Sequence, residues 1–407
     1  MRIHRSSLPI STTIVLLILG AASSFAEAPV IKNEKPQLQP KTIELVESWR
    51  VGGEEGDFIF GMMIDSMEDD DGNIYLLDSQ ICQVDVFSPT GEHLRTLSRQ
   101  GEGPGEIRAP QCLIPLPDRT LGILELFPAR FVTLSLDGDP KSAVSFGGDG
   151  GPQTGFPAAL RAVHRGGTIM VAAQRTIPIE NGQKQVEYLA RLSETGEELV
   201  RYHEETMTVD FTKPLFVEKE LLPSFFFANT VDSEGKVYTV RSWDEYAIEV
   251  YNSDGTLDKI IERDFQTRKR DKGEVRRLNA LIDAWLTGEA LKLERVLEPS
   301  EPAIAEMHID DEGVLWVLHN RSGHDQPEGV FLTYDTFSPE GVWLQEVSIK
   351  AEGNPVYDGL RFLGGDRVLL VKGYALARWA SRGAQNVNFG EEEAEAMEVI
   401  FCRMPKD

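Results

Sequence analysis

The chain carries short apolar runs of four to eight residues, set off by glycine, aspartate and serine clusters, and almost no helical period. NIYLLD at 73–78 is apolar and rich in β-formers, and follows the turn DDDG at 69–72. A short apolar run bounded by turn residues reads as a buried strand. VDVF at 84–87 alternates, and SPTG at 88–91 then supplies a hairpin turn with Gly91 free to take a positive φ. HLRTLS at 93–98 is the outgoing strand, and GEGPG at 101–105 can only be a loop.

This unit recurs. The turn-glycine followed by an apolar-aromatic-apolar run returns as EGKVYTV around Gly235 and EGVLWVL around Gly313, with looser copies at Arg119, Gly167 and Asp366. The anchors 72, 119, 167, 235, 313 and 366 are separated by 47, 48, 68, 78 and 53 residues. A spacing of roughly 40–50 residues is that of a propeller blade, and the two long steps hold the insertions 202–224 and 263–302. A second turn signal keeps the same beat: SPTG, LDG, SETG, NSDG and SPEG, ending at Gly91, Gly138, Gly196, Gly255 and Gly341. The expected fold is an all-β, six-bladed β-propeller over 42–407, with a helical insertion between blades four and five. TIELVESWRVGG at 42–53 mirrors an outgoing strand and its glycine loop, and the last copy lacks a fourth strand. The N-terminal strand is therefore expected to close the ring, with Trp49 beside Phe401, which also covers an otherwise free sheet edge.

Asp78, Val84, Val86, Phe87, Pro89, Gly91, the loop 101–105 and Pro110 together resemble an NHL repeat, and 42–407 resembles the secreted bacterial six-bladed propeller proteins related to that family. The match is strongest in blade one and weaker in blades four and five. The resemblance implies the fold, and implies that Asp78 is an acid closing its loop. It names no activity, because both binding modules and enzymes use this scaffold.

In a four-stranded blade the links between strands one and two, and three and four, lie on one face. The remaining links lie on the other. The first set is uniformly short. The second holds every long segment: 174–185, 320–329 and 373–393 within blades, and the two insertions between blades. One decorated face and one plain face follow, with function on the decorated one. Within 263–302, Val275, Leu278, Ile282, Trp285, Leu286, Ala290, Leu293 and Leu297 recur at helical steps. That helix either caps its own blade or covers the central opening. The basic stretch before and into it, with Arg268, Lys269, Arg270, Lys272, Arg276 and Arg277, either pairs with nearby acids or docks an acidic ligand.

Residues 1–26 carry Arg2 and Arg5, the apolar run 14–19 and small residues ending Ser24-Phe25-Ala26, the layout of a secretory signal peptide cleaved near Ala26. Its apolar run is too short to span a bilayer. Residues 27–41 read as a linker. The mature protein is expected to be secreted or periplasmic. Its net charge of −25 over the full chain repels nucleic acid and anionic lipid surfaces, so the expected partner is a small molecule, peptide, glycan or protein. An odd set of cysteines, Cys82, Cys112 and Cys402, leaves at least one unpaired: either Cys82 and Cys112 bridge adjacent blades, or all three are buried thiols.

HExxH, GxSxG and Walker sequences are absent. Aligning the ends of the second strands gives Asp78, Glu125, Ala173, Arg241, His319 and Lys372. The five ionisable ones, Asp78, Glu125, Arg241, His319 and Lys372, are the candidate ligand-binding residues of a binding module, with no cofactor. The alternative is a metal-assisted hydrolase or lyase resembling the calcium-dependent lactonases, which use acids and asparagines near the channel. Asp65, Asn229 and Glu306 would then hold Ca²⁺. A three-histidine centre, as in lyases on this fold, would have to draw on His308, His319, and His164 or His324.

Overall fold

The structure, a computed structural model, describes residues 28–148, 150–213, 215–286, 293–380 and 396–405. The expected signal peptide lies outside them. Six sheets form the blades of a propeller. Blade one is Met63–Glu68, Ile74–Asp78, Gln83–Phe87 and His93–Leu97; blade two runs from Pro110–Leu116 to Pro140–Ser145; blade three from Phe156–Arg165 to Glu198–Asp210. Blades four and five start at Asn229–Val231 and Ile304–Ile309, and blade six at Gly359–Phe362. All strand pairs within these six four-stranded units are antiparallel, and the first strand of each faces the axis. Apolar side chains fill the wedges between blades: Leu77, Leu113, Leu369 and Phe401 knit blades six, one and two, while Ile248, Val250, Met307 and Val317 join four to five.

The repeated turns have a structural cause. Asp69, Asp232 and Asp310 each accept two backbone N–H groups of their own turn, and a second oxygen reaches the aromatic side chain two strand positions on: Tyr75, Tyr238 and Trp316. The aromatic in each sequence anchor is thus the partner of the turn aspartate. The second glycine series serves the joints between blades. Gly91 has φ 87°, and a Cβ there would lie 2.8 Å from Cγ of Trp49 on the outer strand of blade six. Gly138, Gly255 and Gly341 meet Leu97, Val200 and Ile261 of the preceding blade at similarly short range. Each hairpin turn sits on its neighbour's outer strand, with no room for a side chain.

The ring closes as expected. Val46–Gly52 pairs antiparallel with Glu398–Arg403, placing Trp49 opposite Phe401. Their rings stack at 5.1 Å between centroids and 2° between planes, and Trp49 Nε1 donates to Pro89 O in blade one. The segment read as a linker is structured. Val30–Asn33 adds a fifth, parallel strand to blade four, and Lys41–Glu44 does the same for blade five. Asn33 anchors the first of these, donating to Gly341 O and accepting from Trp343 N in blade five.

The decorated face differs from expectation in blade three. Residues 174–185 are a continuation of the sheet, not a loop: Thr168–Ile179 and Gly182–Leu192 extend as one long hairpin turning at Asn181, which takes φ 59°. Glu198–Asp210 follows it outward, absorbing the start of the first insertion. The rest of that insertion joins the second: Leu215–Val217 pairs parallel with Glu294–Val296. The first half of the predicted helix is present as Lys272–Trp285, opened by a capping box between Asp271 and Glu274; Ala290 lies outside the described residues, and where the helix was expected to continue past Leu293 the chain forms the strand Glu294–Val296 instead. Phe216, Leu278 and Ile282 bury one another, and the basic stretch pairs with acids, Arg268 with Glu274 and Arg270 with Glu218. Phe225 and Phe226 pack into the ring beside blade four. All three cysteines are buried thiols.

Closure through Trp49 and Phe401 predicts that the two side chains act as a unit. Phe401→Ala should lower stability by about 3–5 kcal/mol, and a double-mutant cycle with Trp49→Ala, read from urea midpoints, should give a coupling of about 0.5–1.5 kcal/mol. Additive losses would mean that the stack does not hold the seam.

Candidate functional site

The first strands of blades one, two, three and five share a defect. Their register slips by one residue, between Met63 and Asp65, Pro110 and Cys112, Ala159 and Arg161, and Ile304 and Glu306. Such a bulge inserts a residue that has no partner and re-aims the next side chain. The residues just past the slip, Asp65, Cys112, Arg161 and Glu306, all line one axial cavity of about 310 Å³. Arg361 from the first strand of blade six and Arg378 from the helix Tyr374–Ala380 complete its charged wall.

Contacts across this cavity run from blade to blade. Arg361 pairs with Asp65, whose other oxygen accepts Leu113 N at 2.9 Å. Arg161 Nε donates to Asn229 Oδ1 at 3.1 Å, and Asn229 Nδ2 donates to Phe225 O at 2.6 Å. Arg378 Nη1 donates to Tyr374 Oη at 2.9 Å, and its guanidinium lies over the rings of Phe227 and Tyr374 at 5.3 and 5.6 Å. At the plain face Arg165 reaches across the axis to Ile309 O and Asp310 O, bridging that end of the channel.

Arginine side chains crowd this cavity. The guanidinium groups of Arg161, Arg361 and Arg378 face the carboxylates of Asp65 and Glu306. Arg161 makes no ion pair among the described residues. Burial, with Arg361 and Arg378 alongside, pushes its guanidinium below its ordinary value. One hydrogen bond to a neutral amide returns about 1.5–3 kcal/mol, less than the several kcal/mol that sinking an ion costs. His308 lies in the same field, its ring stacked on Phe362 at 4.5 Å. Burial first, then the charges of Arg165, Arg361 and Arg161, push it down to about 3. The centre of an acidic protein thus gathers three guanidinium groups beside two carboxylates.

The five residues at the second-strand ends are each engaged within or beside their own blade, and none lines this cavity. Asp78 accepts four backbone N–H groups, from Gly61, Met62, Gln80 and Ile81, and so closes its loop. Glu125 accepts Arg108 N at 2.5 Å and pairs with Arg130. Arg241 lies between Glu249 and Glu262, at 3.3 and 3.6 Å. Lys372 Nζ donates to Glu352 O at 2.9 Å and lies 3.6 Å from Asp358. His319 is buried, its Nδ1 accepting from Arg321 N; burial and Arg263 push it down to about 3.

The alternative set does converge on the axis: Asp65 and Glu306 line the cavity, and Asn229 stands behind Arg161. Its oxygens fit calcium poorly. Asp65 is committed to Arg361 and a backbone N–H, Asn229 to Arg161, so guanidinium groups occupy the place a divalent ion would take. Among the described residues no group of three or more His, Cys, Asp or Glu side chains is arranged to hold a metal. Of the histidines, His308 and His164 line the cavity, whereas His319 and His324 do not.

A second cavity of about 430 Å³ opens on the decorated face, between the helices Lys272–Trp285 and Tyr374–Ala380. Glu306, Tyr334, Leu360 and Arg378 line both cavities, so the two adjoin at a neck. The long helix thus stands beside the axial opening.

No family model matches the chain, and no curated protein matches it. Among solved structures, a putative exported protein from Bacteroides fragilis is similar at 9% identity with a TM-score of 0.49, covering 93% of this chain and 100% of that one. A member of the DUF4221 family from Bacteroides vulgatus is similar at 12% identity and TM-score 0.48, covering 89% and 99%. A calcium-binding protein, regucalcin, from Agrobacterium tumefaciens is similar at 10% identity and TM-score 0.43, covering 90% and 97%. Among the described residues no helix is long and apolar enough to cross a membrane.

The depressed His308 sets a pH dependence. Its folded-state value lies below the ordinary 6.5, so the unfolded chain takes up the proton first. Its contribution to stability is complete above about pH 6.5 and is lost as pH falls toward 3. His308→Gln should shrink the stability loss between pH 7 and pH 4 by on the order of 2 kcal/mol, measured by urea unfolding at each pH. His319 leaves a residual slope of the same sign. An unchanged loss would place the His308 ring in contact with bulk water.

Proposed function

We propose that this chain is a binding propeller whose axial cavity takes a small anionic ligand entering from the long-loop face. The observation that carries this is Arg161, half-buried at the centre without a carboxylate partner among the described residues, beside Arg361 and Arg378. Guanidinium groups match carboxylate, sulfate and phosphate oxygens in a planar, two-pronged geometry. Inside a molecule of net charge −25, the guanidinium groups of this cleft offer a local counter-charge to an anion that reaches its mouth. The same reading puts the mature chain outside the cytoplasm, supported by Arg2, Arg5 and the apolar run before Ser24-Phe25-Ala26.

Titration calorimetry with acetate, succinate, citrate, sulfate and phosphate, at fixed ionic strength, tests the reading. At least one of these anions should bind, and Arg161→Gln should weaken it tenfold or more, which is about 1.4 kcal/mol. Arg241→Gln, on the rim of blade four, should leave it unchanged. Loss of binding in Arg241→Gln alone would move the site to the second-strand ends. A Ca²⁺-dependent thermal shift abolished by Asp65→Asn would favour the metal-assisted hydrolase instead. No anion binding at all would overturn the proposal.

A further inference from the structure

We infer that the ligand is an anionic amphiphile, its charged head held at the neck by Arg378 and Arg161 and its apolar body lying in the outer cavity beside the helix Lys272–Trp285. This rests on the anion-binding reading and adds the ligand's class. The two adjoining cavities differ in chemistry. The inner one gathers Arg161, Arg361 and Arg378 against two carboxylates. The outer one is walled by Leu222, Phe227, Leu278, Leu281, Val356 and Leu376.

Charged residues also reach the outer cavity, but most are spent on one another. Glu218 pairs with Arg270 at 2.7 Å, the two side chains only 2% and 7% exposed. Glu274 pairs with Arg268 at 2.9 Å, and His324 stands 3.4 Å from the same carboxylate. Burial pushes the carboxyl of Glu301 up, toward its neutral form. What remains along the path from the mouth inward is an apolar wall, edged by Arg277 and Asp358, followed by Arg161, which has no carboxylate partner among the described residues. Arg378 marks the change: its stem and guanidinium pack on the rings of Phe227 and Tyr374, and it lines both cavities. A small inorganic anion would use the inner groups and leave the apolar wall wet. A neutral hydrocarbon would cover the wall and leave Arg161 without an anionic partner among the described residues. A molecule with one anionic end and an apolar body satisfies both.

The probes are straight-chain carboxylates from acetate to decanoate, each below its micelle concentration, with decanol as the neutral control, titrated into the whole protein. Affinity should rise roughly fourfold per added methylene, Arg161→Gln should weaken every acid by a similar factor, and decanol should bind at least tenfold more weakly than decanoate. Leu281→Ala and, independently, Leu376→Ala should flatten the dependence on chain length while leaving acetate unaffected, with circular dichroism reporting that each variant is folded. Acids that bind equally whatever their length would overturn the amphiphile and leave the anion site standing. Decanol binding as tightly as decanoate would overturn the role of the charged head. Absence of binding by any acid would overturn the anion site itself, and the amphiphile with it.

Discussion

A ring of twisted sheets has one obligatory joint, the place where its last blade meets its first, and here that joint is made by strand pairing. The segment Val46–Gly52 hydrogen-bonds along Glu398–Arg403 over its full length, and Trp49 packs against Phe401 and Phe87 at once. The axial cavity exists only because this joint holds. Asp65 in blade one is paired with Arg361 in blade six, on either side of the seam. If the seam parted by a few ångströms, a half-buried guanidinium and a buried carboxylate would each lose their partner, at a cost of several kcal/mol. The apolar seal and the polar centre therefore depend on one another.

Within the closed ring, the bulges decide what faces the axis. An unbroken inner strand would alternate its side chains between the two neighbouring wedges, where Ile, Leu and Val belong. A one-residue slip in four blades breaks that alternation at the same depth and turns an acid, a thiol, a guanidinium and a second acid toward the centre. Blades four and six contribute differently, through Asn229 behind Arg161 and through Arg361. The mixed outcome is a polar axis in a scaffold whose blades are otherwise joined by hydrocarbon.

Much of this fold is written in turns, and turns are local. The Asp-x-x-Gly and Ser-Pro-x-Gly beats report bonds formed within a few residues, such as Asp310 to Val314 N, and they fixed blade number and ring closure from the sequence. The long hairpin of blade three was misread as a loop because Gln174–Gln185 is too polar to show a buried face, and its strands are joined mainly by backbone pairing, with one side-chain bond from Gln185 to Gln174. The site was half visible. Asp65, Asn229 and Glu306 were singled out through a resemblance to calcium-using propellers, but Arg361, paired with Asp65, and Arg161, bonded to Asn229, were not. Aligning the copies on second-strand ends selected groups such as Glu125, which serve their own loops. The register slip that selects Arg161 is a tertiary fact, and no local residue preference announces it. Its one trace in the sequence is an arginine in blade three at the depth where blades one and five carry acids.

The parallel straps Val30–Asn33 and Lys41–Glu44 carry a consequence for how the molecule is made. They lie on Leu257–Arg263 and Trp343–Lys350, and the strand that follows them lies on Glu398–Arg403. On a ribosome this stretch emerges before any of its partners, and its final partner, Glu398–Arg403, appears only after the strands of the first five blades. Blades one to three can zip up by hairpins as they are synthesised, while the leading segment waits unpaired for most of translation. Assembly must therefore finish from the trailing end, and a chain stalled short of residue 398 would be left with an open circle and an idle first strand.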